Sequence, residues 1–211
     1  MDLAARWDGL LAPFGAGAAA RAAGRAVLGR YGEAHRRYHT AEHLAAVLDA
    51  LFLDLAGDPL SVELAAFFHD AVYDPHAPGG VNERESAALA GTVLTPLEVP
   101  VTVVGEVARL VLTTADHGAA PGDTDAAVLN DADLAVLGGH RRAYLAYVAA
   151  VRAEFAWLDE PTWRAGRAQV VAHLLARPRL FGTQRGTDRW EAAARENLTA
   201  ELAALTGVSG P

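Results

Sequence analysis

The chain has 211 residues, 52% of them apolar, with a formal net charge of −8, which suits one domain with a substantial core and excludes disorder and a broad nucleic-acid surface. It has no cysteine, so neither a disulfide framework nor a thiolate metal site is available, and no apolar run reaches the roughly 18 residues of a membrane span. The first residues lack a basic region followed by an apolar one, and a cytoplasmic protein is the expectation.

In chain order, helical periodicity predicts helices near 2–12, 17–31, 40–56, 60–70, 83–97, 100–115, 124–138, 140–158, 161–176 and 187–206. Thr40 stands where a helix N-cap is needed, and Asn82 with Glu85 three residues later has the form of a capping box. Pro100 and Pro161 fall where a first helical turn tolerates proline. Val101 to Val104 would suit a strand, but Val107, Leu110 and Val111 continue at helical spacing. The expected fold is an all-α, single-domain helical bundle over 1–211. Two longer loops, 71–81 and 117–123, directly follow predicted helices. Every basic residue is arginine and there is no isoleucine, a bias of composition with no functional reading.

Chemistry-bearing residues concentrate in a few places. His39 and His43 are four apart and share one face if a helix begins near Thr40; they are either a functional pair or one capping and one half-buried histidine. His69-Asp70 ends the apolar run Val62 to Phe68, where burial of ionisable groups is costly unless they are paired or bind a metal. Asp131 and Asp133 point in nearly opposite directions on a helix, so one ion takes only one of them. Asp133 falls in the inward stripe of Leu129, Ala132, Val136 and Leu137, with Asp131 nearer the polar side, and Asp133 is favoured. His117 suits a phosphate, a second metal or a plain surface loop; Glu83 either orients a water or complements the helix dipole. Tyr73 and Asp74 suit the mouth of a site. Arg164, Arg167, Arg177 and Arg179 are fork donors for a phosphate, or else solvated helix faces. His76, His140 and His173 read as structural or exposed, and Trp157 and Trp163 as core.

The linked motifs are Tyr38-His39-Thr40 with Glu42-His43, Phe68-His69-Asp70 with Val72-Tyr73-Asp74-Pro75, Asn82-Glu83 with Ser86-Ala87, and Asp131-Ala132-Asp133-Leu134-Ala135 with Leu137-Gly138. In this order they resemble the HD superfamily of metal-dependent phosphohydrolases, and in particular its small bacterial members, over about residues 30–182. The resemblance implies an HD-type helical bundle and makes His43, His69, Asp70 and Asp133 the expected metal ligands. Cyclic-nucleotide phosphodiesterases share the paired-histidine arrangement, which casts His39 as a proton donor, and their last ligand supports Asp133. This chain has Thr40 where they carry asparagine and lacks their second His-Pro-Gly motif.

Two imidazoles and two carboxylates suit Mn, Fe, Co, Ni or Zn, with Mg admissible. The expected activity is phosphohydrolysis of a small phosphoester or nucleotide by metal-activated water, with His39 protonating the leaving group and Glu83 or Asp70 deprotonating the water. His117, Arg167 and Tyr73 are the expected substrate contacts. The alternatives are a di-iron oxygenase on the same scaffold and a non-catalytic nucleotide-binding module. The sequence gives no expectation for oligomeric state.

Overall fold

The structure, a computed structural model, describes residues 2–15 and 17–207. No strand occurs among the described residues, and the fold is all-α. No described helix is long and apolar enough to cross a membrane.

The N-terminal hairpin forms the back of the molecule. Asp2 starts α1 (Leu3–Leu11) by accepting the N–H groups of Ala4 and Ala5 at 3.0 Å each. Helix α2 (Gly17–Arg30) folds against α1, and Gly24 permits the close approach: a Cβ there would lie 2.5 Å from the Trp7 ring. Trp7 is fully buried, donates its indole N–H to Ala20 O at 2.8 Å, and sets its ring edge-on to Phe67 and Phe68. Full burial of an apolar side chain of this size contributes about 2–3 kcal/mol. The rings just before His69-Asp70 are thus held from behind.

Helix α3 (Ala41–Ala50) is shorter than its periodicity predicts. It breaks at Leu51, in an extended conformation, and Phe52 stacks on Trp190 with ring centroids 5.2 Å apart. A tertiary contact here overrides a helical pattern that would otherwise continue. Thr40 occupies the N-cap position, but its hydroxyl bonds the Glu42 carboxylate at 2.6 Å rather than a helix N–H. Helix α4 (Pro59–Phe68) begins with Asp58 as cap and proline in the first turn, and ends at His69.

Helix α5 (Val81–Leu94) starts after Gly80, whose φ of +74° suits glycine. The expected capping box does not form. Asn82 lies inside the helix and exchanges two 3.1 Å hydrogen bonds with the Asp74 backbone, tying down the 71–80 loop. Helix α6 (Val101–Thr113) packs on α4 and α5. Helix α7 (Thr124–Leu134) runs through the middle of the fold, and residues 126–132 are all buried. It therefore has no polar side, contrary to the expectation that placed Asp131 on one. A 3-10 turn over Ala135–Gly138 continues it.

The remaining elements are α8 (Arg141–Glu154), α9 (Glu160–Ala176), the single turn α10 (Gln184–Gly186), a π-helical segment Thr187–Glu191 and α11 (Ala192–Thr206). They enclose a second apolar cluster around Leu137, Tyr144, Val171, Phe181 and Leu198. The first cluster, built from α1 to α7, holds the Phe67-Phe68 rings. Trp163 is buried as expected, whereas Trp157 is 52% exposed and stacks on exposed His76.

Candidate metal centre

Three helices bring four side chains to one point. His43 lies in the first turn of α3, His69 and Asp70 stand at the C-terminal end of α4, and Asp133 is near the end of α7. One donor atom from each lies within 4.8 Å of every other. His43 Nε2 is 3.2 Å from His69 Nε2, 3.4 Å from Asp70 Oδ2 and 3.2 Å from Asp133 Oδ1. His69 Nε2 is 3.0 Å from Asp70 Oδ2 and 3.7 Å from Asp133 Oδ1. Two atoms bound to one ion at about 2.1 Å lie about 3.0 Å apart at a right angle and about 3.4 Å apart at a tetrahedral angle. These five separations, 3.0 to 3.7 Å, are close to that spacing, and this group could hold a metal ion.

The surroundings aim the donors inward. His69 Nδ1 donates to Ala66 O at 2.7 Å, which turns the lone pair of Nε2 toward the cluster. Buried Arg36 donates from Nη1 to His39 O at 3.0 Å and Asp70 O at 2.7 Å, and from Nη2 to Ala71 O at 3.2 Å. One guanidinium thereby fastens the approach to α3 onto the end of α4.

Burial opposes charge on His43 and His69, but Asp133 and Asp70 outweigh it for His43, and Asp70 and Asp133 for His69. Both imidazole pKa values rise, that of His69 to about 9. Burial alone would raise the two carboxyls; His69, His39 and His43 hold Asp70 low, and His117, His43 and His69 hold Asp133 low.

Asp131 stands apart. It is 1% exposed and accepts from Gly182 N at 2.6 Å, Thr183 N at 2.9 Å and Thr183 Oγ1 at 2.6 Å. Burial raises its pKa in spite of these donors. Asp133 is the aspartate of α7 that joins the histidines.

A cavity of about 590 Å³ opens beside the cluster, and His39, Asp70, Tyr73, Glu83, His117 and Asp133 all line it. Glu83 Oε2 is buried and has no hydrogen-bond partner. His117, at φ +49°, sets Nε2 3.0 Å from Asp133 Oδ2 and so braces the outer oxygen of that carboxylate. Tyr73 stacks on His39 with centroids 4.0 Å apart. Both Tyr73 and His39 meet Glu154: Tyr73 OH donates to Oε2 at 2.9 Å, and His39 Nδ1 lies 2.7 Å from the same oxygen.

The arginines are largely engaged. Arg167 borders the cavity, but its fork is closed on Glu201 through bonds of 2.8 and 3.1 Å, and Nη1 reaches Tyr147 OH at 3.2 Å. It braces Tyr147 rather than offering a phosphate clamp. Arg164 caps the C-terminal carbonyls of α11, and Arg179 bonds Gln184. Arg177 lines the cavity and bonds the carbonyls of Asp116 and His117, pinning the loop that carries His117. Gln169 and His173, four apart on α9, complete that wall; spacing alone gave no reason to single out either.

Arg36 and Glu154 also escaped the sequence reading. Arg36 lies in an irregular segment without periodic signal. Glu154 was detectable, because it shares an inward stripe of α8 with Tyr144, Tyr147 and Val151, and an acid there requires a partner. Comparison of the chain with protein-family models, curated proteins and solved structures finds no match, so the case for the site rests on its own geometry.

Proposed function

We propose that the chain is a metal-dependent phosphohydrolase acting on a small phosphoester or nucleotide. One observation carries this reading: four N and O donors converge beside a cavity of about 590 Å³ whose wall also holds His39 and Glu83. A volume of this order suits a small molecule. The motif resemblance to HD phosphohydrolases points the same way.

His43, His69, Asp70 and Asp133 would hold a divalent ion of the Mn, Fe, Co, Ni, Zn or Mg type, which would supply Lewis-acid polarisation and a water of lowered pKa, about 7. The chain supplies the proton transfers. His39 gives a proton to the leaving oxygen, and Glu83, which lines the same cavity, takes one from the attacking water. His117 holds Asp133 in place. A di-iron oxygenase would need a second donor set, and among the described residues no second group of three such donors converges.

Metal analysis of protein purified without chelator, followed by a phosphoester panel with each metal, tests the proposal. One ion per chain and activity lost in both His69→Ala and Asp70→Ala are the expected outcomes. Unchanged activity in both purified variants rules it out. Two irons per chain favour the oxygenase, and tight nucleotide binding without turnover favours a sensor.

A further inference from the structure

We infer that Glu154 is the positioning residue that makes His39 a proton donor. The inference rests on the phosphohydrolase reading and adds to it a residue 115 positions from its partner.

The Glu154 side chain is fully buried. Oε1 accepts three consecutive backbone N–H groups, from Arg37 at 2.7 Å, Tyr38 at 2.8 Å and His39 at 3.0 Å. Oε2 accepts Tyr73 OH at 2.9 Å. Four donors aimed at one carboxyl favour its ionised form, which can only accept. The fifth contact, to His39 Nδ1 at 2.7 Å, therefore requires a hydrogen on Nδ1. That leaves Nε2 as the nitrogen available to the cavity. A second ring proton can then sit only on Nε2, on the cavity side. Stacking by Tyr73 at 4.0 Å and edge contact from Tyr38 at 5.0 Å fix the plane of the ring.

In the reaction, the P–O bond to the leaving group breaks, its electron pair stays on the leaving oxygen, and the Nε2 proton moves to that oxygen. His39 is left neutral, still donating Nδ1–H to Glu154. A proton released by the attacking water restores the cation.

Glu154→Gln separates positioning from architecture. The amide oxygen can keep the three backbone N–H groups, but the NH2 then faces Nδ1 and cannot accept from it. His39 is driven to the neutral Nε2–H tautomer, a poor acid. For alkyl phosphoesters, whose leaving group needs a proton, kcat should fall about 100-fold or more. For p-nitrophenyl esters, whose leaving group departs as a stable anion, the fall should be under about 10-fold. His39→Gln should show the same dependence on leaving group, and bound metal in Glu154→Gln should match the unaltered chain. Imidazole nitrogen NMR of the unaltered protein should find His39 Nδ1 protonated, and this measurement needs no variant to fold. Equal losses on both ester classes, or an unprotonated Nδ1, overturn the inference while leaving the phosphohydrolase reading intact. A chain that hydrolyses no ester with any metal overturns that reading, and the donor role with it.

Discussion

Asp131 and Asp133 stand two residues apart on α7, the first buried and the second half-buried, and each keeps different company. Asp131 meets two backbone N–H groups and a hydroxyl, donors fixed by the 182–183 turn. Asp133 meets three imidazoles, from His43, His69 and His117. Fixed neutral donors satisfy a carboxylate permanently and make it structural. Imidazoles can release their protons and turn to an ion, so the second carboxylate belongs to a group that could hold one. The lesson is that burial alone does not identify a functional acid; the kind of donor around it does.

Substitutions on the two sides of α7 should therefore part cleanly. Asp133→Asn should weaken metal binding by more than about 100-fold, beyond the usual effect of losing an outer partner, and bring hydrolysis to background. Calorimetric titration with metal reads this directly, and affinity equal to the unaltered chain would erase the distinction. Asp131→Ala should leave metal affinity unchanged but cost on the order of 2–4 kcal/mol in chemical denaturation, because it strands three donors, the two of Thr183 buried.

Glu154 lies between these cases, with three backbone donors, a tyrosine hydroxyl and one imidazole. Burial alone would raise its carboxyl, but His39 and the N–H groups of Arg37 and Tyr38 hold it at about 2, against an ordinary 4.5. A depressed folded-state pKa stabilises the fold above the ordinary value, and this contribution is lost as pH falls from about 4.5 through about 2. The part at stake is on the order of 3 kcal/mol, and acid denaturation of Glu154→Gln should lack it. The smallest effect belongs to His117→Ala, which removes only a brace: metal affinity should fall about 10-fold, with folding stability changed by under about 1 kcal/mol. A loss as large as that of Asp133→Asn would make His117 a ligand in its own right.

Much of this was legible beforehand, for identifiable reasons. The all-α fold follows from 3.6-residue periodicity, which holds over most of the chain and gives way at Phe52, where that ring stacks on Trp190. His43, His69, Asp70 and Asp133 stood in motifs, and the structure brings them together. Asp133 rather than Asp131 lies with the histidines, although the premise of a polar side for Asp131 does not hold on a helix whose residues 126–132 are all buried. Arg167 was read as a phosphate fork because its partner, Glu201, lies 34 residues away and no local pattern announces the pair. Arg36 and Glu154 were missed for the same reason. Their meaning lies in which carbonyls and N–H groups the chain returns to them, and topology decides that. Thr40 and Asn82 show the converse error, where a good local capping signal was outbid by Glu42 and by the Asp74 backbone.

The enclosure of α7 has a further consequence. An ordinary surface helix tolerates substitution with a rhythm, permissive on one side and strict on the other. Residues 126–132 are buried without a break, and the alanines at 126, 127 and 132 leave little room for growth. A Cβ added at Gly182 would already stand 2.9 Å from that of Ala127. In a saturation scan this stretch should appear as one uninterrupted block of intolerance, and a helix without rhythm in such a map marks the axle on which the rest of the molecule is mounted.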